Sequence, residues 1–337
     1  MSARSGVIAG GNWIVDQVKL LDTWPEQDAL ATIVAESLGN GGSAYNVLKD
    51  LAKLGTRFPL EGIGLVGDDD RGRWIAADCA SHRIDARQLR VEPGAATSYT
   101  DVMTVRATGR RTFFHQPGAN AKLSPEHFDF GATRARHFHL GYLLLLDTLD
   151  ARDATGVPRA AGVLGAARAA GLTTSVDIVS APPLRFKHGV LPVLPQVDCL
   201  FINDYEATHA TGIAVRERGH LNHDAVEAAA RLLHLAGARL VVFHAPEGAF
   251  SVGEKEPGTW QPSLRIDASE MRGAAGAGDA FAAGFLLGWH ERWSVSRCLR
   301  LAVATAATSL FHPTCSDGVR PLADCFRLAD ERGQPAD

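Results

Sequence analysis

From about residue 136 onward, short apolar segments alternate with longer amphipathic ones. That alternation constrains the fold more than any other feature of the chain. Candidate strands run over 136–140, 173–178, 198–202 and 239–244, and candidate helices over 159–170, 223–235, 280–291 and 295–311. Two parallel strands can be joined only by a long crossover, most often a helix, so this rhythm predicts a mainly parallel sheet covered by helices on both faces. Upstream, residues 6–10 read as a strand, followed by a polar, turn-rich segment to about Asn40. Residues 41–54 read as a helix with Ala44, Val47, Leu48, Leu51 and Leu54 on one face and Gly55 as its stop. A further strand is expected at 63–66, and Asp68–Asp70 are placed to cap a helix starting near Arg71. Residues 97–105 and 111–115, separated by Ala107-Thr-Gly109, read as a hairpin that does not fit the parallel sheet and forms an appendage. The last residues, 333–337, read as frayed.

Composition narrows the class. With 46% hydrophobic and 21% charged residues, the 337-residue chain is that of an ordinary soluble globular protein. The formal charge of −4 and the absence of a basic block argue against nucleic acid as a partner. No apolar run approaches the length of a membrane span, and no hydrophobic signal core opens the chain, so a cytoplasmic protein is expected. The five cysteines, Cys79, Cys199, Cys298, Cys315 and Cys325, are scattered and lack CxxC spacing. That fits a reducing compartment and argues against a disulfide framework or structural zinc.

The stretch Gly273-Ala-Ala-Gly-Ala-Gly-Asp279 then carries the chemistry. Its nearly bare backbone opens a segment in which Phe281, Ala282, Phe285, Leu286 and Trp289 recur at helical spacing. A bare loop at a helix start presents unpaired N–H groups and the positive end of the helix dipole, which is an anion site. A carboxylate there conflicts with local electrostatics. The plainest account is a tight turn with Asp279 as N-cap. A dinucleotide site is disfavoured, because its glycine fingerprint belongs early in a βαβ unit, and a P-loop is excluded by the missing Gly-Lys-Ser/Thr. Phosphoryl transfer resolves the conflict: N–H groups stabilise the charge on the moving group while the acid takes a proton from the attacking hydroxyl.

These residues resemble the ribokinase-like (PfkB) carbohydrate kinases. The late Gly-Ala-Gly-Asp with its apolar helix is similar to that family's second signature, and Gly41-Gly-Ser-Ala-Tyr-Asn46 running into Gly55 to its first. Gly11-Asn-Trp-Ile-Val-Asp16, Gly67-Asp-Asp-Asp-Arg-Gly72 and Asn203-Asp-Tyr-Glu206 match further family motifs, in the family's order, over about residues 6 to 320. The resemblance implies a single α/β domain over 1–337. It would be a three-layer α/β/α sandwich with a mainly parallel central sheet and a small β-sheet lid built from parts of 12–40 and 97–118. It also implies an ATP-dependent kinase acting on a hydroxyl of a small sugar or sugar acid. Asp279 would be the general base, and the backbone of Gly276, Ala277 and Gly278 the anion hole. Asn12, Asp16, Gly42, Asn46 and His115 would bind the sugar. Asn203, Glu206, His244, Gly248 and Val303 would bind the nucleotide, with Glu206 organising Mg²⁺ through water. On the lid, either Phe114 or the Phe113/His115 pair would face the sugar, and the lid could form a homodimer contact.

Several positions depart from the family. Where it usually carries Asp-Thr before the anion hole, this chain has Gly273-Ala-Ala275, which offers no side-chain oxygen, so weak or absent K⁺ activation is expected. Ala245-Pro246 stiffens a loop that would border the nucleotide, and Asp177-Ile-Val179 lacks a polar group expected near the phosphates. Two other functions stay open. A nucleoside kinase of the same fold could use Trp13, Tyr45, Phe113 or Phe114 to stack on a base, and a sugar-binding sensor could have lost catalysis. Tyr142 and Asp147 could line the cleft. His137 and His139 share a strand face without a third metal ligand, so burial is the expected role.

Overall fold

The computed structural model describes residues 4–333, so the tail at 334–337 lies outside the described residues. The chain opens with β1 (Val7–Gly11), β2 (Ile14–Leu21), β3 (Ile33–Gly41), α1 (Ser43–Leu54), β4 (Leu60–Val66), α2 (Asp70–Ser81), β5 (Ile84–Val91), β6 (Tyr99–Val105) and β7 (Arg111–Gln116). It continues with β8 (His137–Leu143), α3 (Asp147–Asp150), α4 (Arg159–Ala169), β9 (Thr173–Ile178), α5 (Phe186–Gly189), β10 (Cys199–Asn203) and α6 (Asp204–Thr211). A minor pair, β11 (Arg216–Glu217) and β12 (His220–Leu221), precedes α7 (His223–Leu235), β13 (Leu240–Ala245), β14 (Gly248–Gly253) and β15 (Glu256–Pro262). Three helices close the chain: α8 (Ala277–His290), α9 (Val295–Ser309) and α10 (Leu322–Arg332).

Nine strands form one sheet in the order β15-β14-β13-β10-β9-β8-β1-β4-β5. Pairing is parallel from β13 through β5, and only β14 runs against the rest. Both faces are buried, as an interior parallel sheet requires. On one side Ile8, Leu140, Val176 and Ile202 pack with residues of α4, α5, α6 and α7. On the other, Val7, Ala9, Cys199 and Phe201 pack with α1, α2, α8, α9 and α10. Adjacent residues of β1 thus enter opposite cores, which is the period-two alternation of a strand. Trp13 and Tyr45 are fully buried in the second core and stack on each other with ring centroids 5.1 Å apart. They are packing residues, not a base-stacking platform.

The second sheet has the order β3-β2-β6-β7. β2 runs antiparallel to β3 and parallel to β6, and β6 runs antiparallel to β7. The hairpin thus stands apart from the main sheet, as its pattern predicts. The segment to Asn40 differs from its polar, turn-rich reading. It holds two strands: β2 carries Asp16, Gln17 and Lys19 among its apolar residues, and β3 exposes Ile33, Val34 and Leu38, so neither shows a clean alternation. The cap expected of the Asp68–Asp70 run is present: the Asp69 side chain accepts the Gly72 N–H at 2.9 Å. Gly55 ends α1 in the left-handed conformation. His137 and His139 are buried and share the Ser175 hydroxyl, at 2.8 Å from each ring, and burial lowers both pKa values to about 3. No cluster able to hold a metal is found among the described residues. No helix among them is long and apolar enough to cross a membrane, and all five cysteines are buried and unpaired.

Candidate active site

Ligands of open parallel sheets gather beyond the carboxyl ends of the strands, where loops and helix N-termini converge. Here Tyr142, Asp177, Asn203 and His244 are the last or next-to-last residues of β8, β9, β10 and β13, and all four line one cleft of about 570 Å³. β1 runs directly into β2, so the small sheet crosses the same edge and supplies Asp16, Thr100, Arg111, Phe113 and His115 to the lining. The helix starts α1 and α8 add Gly42, Asn46 and the run 274–279.

The start of α8 depends on a glycine. Gly276 is the N-cap with φ 72°, and a Cβ there would lie 2.5 Å from the Cys315 Cβ. An L side chain would be strained in that conformation and would also collide. No side chain caps this helix; the Ala277 N–H meets the Ala274 carbonyl at 3.4 Å, and no protein carboxylate sits on the first turn's N–H groups. Asp279 stands in the first turn and not at the cap. It is 1% exposed. Its Oδ2 accepts the Tyr142 hydroxyl at 2.6 Å and the Asn46 amide at 2.7 Å, while Oδ1 is buried with no partner. Burial raises its pKa, opposed by the bonds from Tyr142 and Asn46. A base gains from a pKa moved toward the working pH, so this shift suits proton abstraction.

Asn46 is held in turn. Its Oδ1 accepts from Asn40 at 2.7 Å, and Asn40 also donates to the Ser316 hydroxyl. Being mid-helix does not put Asn46 in solvent, because α1 packs against α8. Asp16 lies across the cleft, where the Cys315 thiol donates to its Oδ2 at 3.4 Å and burial raises its pKa to about 7. Asp177 sits beside Asp279, and burial together with that neighbouring charge holds it well above the usual carboxylate range. Its Oδ2 accepts from Ser43, whose hydroxyl also meets His139 at 3.0 Å.

At the other end, Asn203 and Glu206 form a capping box at the start of α6. The Glu206 carboxylate accepts from Ser180, the Asn203 amide and the Asn203 N–H, and burial raises its pKa to about 8. A buried carboxylate of this kind favours a nearby positive charge, which fits a role beside a hydrated Mg²⁺. His244 stacks on Phe281 with ring centroids 5.0 Å apart and stays neutral, its pKa lowered to about 4 by burial.

Three expected ligands stand elsewhere. Asn12 is fully buried and both ends of its amide are engaged, Oδ1 by the Tyr142 N–H at 2.6 Å and Nδ2 by the Leu145 carbonyl. It holds the end of β8 in place and does not line the cleft. Gly248 lies within β14, and Val303 is packed on α9 in the second core; neither is in the cleft wall. Asp147 is also outside the lining, whereas Tyr142 reaches Asp279 itself. Of the two lid faces, it is Phe113 and His115 that meet the cleft; Phe114 points away and stacks on Trp24. The sequence reading missed Arg111, Ser43 and Cys315. Arg111 had a signal, because it lies two and four residues from Phe113 and His115 on one strand. Ser43 lies within the Gly41–Asn46 motif, whereas Cys315 had no signal, since it enters through long-range packing.

Comparison with known proteins agrees with this architecture. The model of the pfkB family carbohydrate kinases matches residues 13–321. The chain is 30% identical over 303 residues to an ATP-dependent ribose-1-phosphate kinase of Halopiger xanaduensis, covering 89% of this chain and 90% of the relative. It is 27% identical over 266 residues to a probable chloroplastic fructokinase-6 of Arabidopsis thaliana, covering 77% and 64%. An Arabidopsis thaliana ribokinase complexed with ribose and ATP superposes with a TM-score of 0.76 at 20% identity, over 97% of this chain and 98% of that one. A putative ribokinase II from E. coli, in complex with ATP and Mg²⁺, also superposes at 0.76, with 19% identity over 97% and 100%. At such identities these structures speak for the fold.

Proposed function

The chain belongs to the PfkB family of carbohydrate kinases, and from that premise we propose that it transfers the γ-phosphoryl group of ATP to a hydroxyl of a small sugar. The observation that carries this is the Asp279 carboxylate. One oxygen is fixed by Tyr142 and Asn46, while the other is buried beside the uncapped start of α8 and left without a donor. A buried acceptor without a partner is costly, and an acceptor hydroxyl of the substrate would satisfy it. That hydroxyl would give its proton to Oδ1 as its oxygen attacks phosphorus. The N–H groups of Gly276, Ala277 and Gly278 would stabilise the charge on the transferring group, each such donor being worth about 3 kcal/mol in comparable anion holes.

Asp16, from the small sheet, would orient the sugar by hydrogen bonding to its other hydroxyls, and Asn46, whose amide is engaged by Asp279 and Asn40, would hold the base in place beside it. Asn203, Glu206 and His244 would border the phosphates and nucleotide, with Glu206 acting on Mg²⁺ through its water shell. When bound, Mg²⁺ supplies charge neutralisation on the phosphates. The small sheet would serve as a lid that excludes water. A relative named for ribose-1-phosphate and others named for fructose favour a sugar over a nucleoside, as does the burial of Trp13 and Tyr45.

The test is Asp279→Asn, assayed for ATP-dependent phosphorylation across a sugar panel. We expect kcat to fall by roughly 10²–10⁴-fold, the usual worth of a positioned base, with sugar binding retained. Unimpaired turnover in that variant would refute the assignment.

A further inference from the structure

One face of β8 and β9 carries a row of polar side chains inside an otherwise apolar core, with His139 lying edge-on to Phe201. The strands pair in parallel, His137 opposite Thr173 and His139 opposite Ser175. Alternate residues share a face, so Asp177 comes next on β9. The matching place on β8 is Gly141, where a Cβ would lie 2.4 Å from Ser43 Oγ and 3.2 Å from His139 Nε2. With no side chain there, Ser43 enters from the start of α1 and fills the gap. Four contacts then run in series. Thr173 Oγ1 meets His137 Nδ1 at 2.7 Å, and His137 Nε2 meets Ser175 Oγ at 2.8 Å. Ser175 Oγ meets His139 Nδ1 at 2.8 Å, and His139 Nε2 meets Ser43 Oγ at 3.0 Å. The Ser43 hydroxyl reaches Asp177 Oδ2 at 3.3 Å, and Asp177 stands beside Asp279. At the other end, Thr173 is half-buried and lines a separate cavity of about 340 Å³. Strands buried on both faces are normally apolar throughout, so packing alone gives no reason for this column.

Both rings are buried and neutral. A neutral imidazole has one N–H and a hydroxyl one proton to give. Ser175 stands between two ring nitrogens, so it donates to one and accepts from the other. With every contact made, the column has two arrangements: all donors point toward Asp177, or all point away. The first gives the acids of the cleft a donor from Ser43. The second turns the Thr173 hydroxyl to the Arg136 carbonyl at 3.4 Å, a long and weak contact. The first is therefore favoured. Two carboxyls as close as Asp177 and Asp279 titrate as a pair, and a donor to one steadies the charge they share. We propose that His139, Ser175, His137 and Thr173 are positioning residues for the phosphoryl transfer: they hold the Ser43 hydroxyl as a donor to Asp177 and so keep Asp279 ready to take the acceptor's proton. The inference rests on the kinase reading above and extends the machinery beyond the cleft. The acceptor's proton goes to Asp279 Oδ1, and the column's own protons stay on their atoms. The other titratable groups around the acid pair are Glu206, Tyr142, Asp16, Asp50 and Cys315. Those around the rings are Asp198, His290 and Arg136. The substitutions below leave all of them in place.

Thr173→Asp and Thr173→Asn are nearly equal in size and differ at the far end of the column: the carboxylate only accepts, whereas the amide can donate. The carboxylate draws the His137 N–H to Nδ1 and should turn the whole column away from the cleft. In the nitrogen NMR spectrum of the rings, His139 should be the Nε2–H tautomer in the unaltered protein and in Thr173→Asn, and the Nδ1–H tautomer in Thr173→Asp. In parallel, kcat and KM are read against pH with the full-length protein, ATP, Mg²⁺ and a panel of pentoses and hexoses. In Thr173→Asp, kcat on the acidic limb should fall about tenfold, the lower end for a lost bond to a charged group, with sugar KM unchanged. Thr173→Asn, which keeps a donor, should retain most of the rate. The new carboxylate also acts through space, at roughly 13 Å from Asp177 along β9. Ser175→Ala cuts the column, so adding Thr173→Asp to it should change kcat no further. A tenfold loss that persists in that background overturns the proposal. So does a His139 ring that keeps one tautomer in both variants, or is Nδ1–H in the unaltered protein. A tautomer that switches in a protein giving no ADP with any sugar upholds the column and overturns the kinase reading instead.

Discussion

Replacing Tyr142 with phenylalanine removes a single oxygen, and that oxygen donates to Asp279 at 2.6 Å. Only the ionised carboxylate gains fully from such a donor. Charge-assisted bonds of this length are worth about 1.5–3 kcal/mol. Tyr142 is the strongest of the groups that hold down the Asp279 pKa against burial. Losing it should raise that pKa further, because the ionised form loses a donor that the neutral form uses less well. Asn46 remains as the other donor to Oδ2, so the carboxylate keeps its position. The base must be ionised to work, and a higher pKa means ionisation at higher pH. The acidic limb of kcat should therefore move to higher pH, with the rate on that limb falling about tenfold or more, the worth of the lost bond, and recovering above it. The assay is kcat against pH at saturating sugar and ATP, which reports the bound complex and so separates this effect from any change in sugar KM. An unmoved limb in a folded variant, or an equal loss at every pH, would refute the view that Tyr142 tunes the base.

Two further outcomes follow from the same cleft. Asp16 has its pKa raised by burial from 3.8 to about 7, so the stability it contributes is present below its unfolded value and lost as pH rises toward 7. Asp16→Asn removes that penalty: its stability relative to the unaltered protein should be near zero at pH 4 and grow to at most about 4 kcal/mol by pH 8. Chemical denaturation at several pH values checks this, and a flat difference would refute burial as the cause. Potassium should leave kcat unchanged relative to sodium or choline, because Ala274 and Ala275 line the cleft without a side-chain oxygen for a monovalent ion; steady-state rates in the three chlorides decide, and strong activation by potassium would show that backbone carbonyls suffice.

Much of this was legible in the chain. The strand over 173–178 and the helix over 223–235 appear at the bounds their patterns predict, since each is long, periodic and bounded by turn residues. Asp16, Asn46 and Asp279 were identified through motif spacing and meet in one cleft. The losses have physical causes. β2 and β3 escaped because neither alternates cleanly: β2 has polar residues in adjacent positions, and β3 exposes apolar ones. Asn12 was expected as a ligand from its place in the motif after β1, but a polar group beside a cleft can as easily serve the backbone behind it, as its bonds to Tyr142 and Leu145 do. Val303 lies in the second core and outside the cleft lining, and position along a helix does not say which core the helix faces.

The sequence by itself determined the parallel sheet, the bare glycine-rich helix start and the acid three residues into it, because these depend on contacts close in the chain and on the periods of strands and helices. Only the tertiary structure decided how that acid is used. Asp279 has one oxygen bound and one free because Tyr142, 137 residues away, and Asn46, 233 residues away, are brought to the same atom. Arg111 is a surface-type residue by composition, and it becomes an unpaired cation in an acidic cleft because the small sheet crosses the edge of the large one. Such protonation and pairing states depend on neighbours distant in sequence, and no local pattern specifies them.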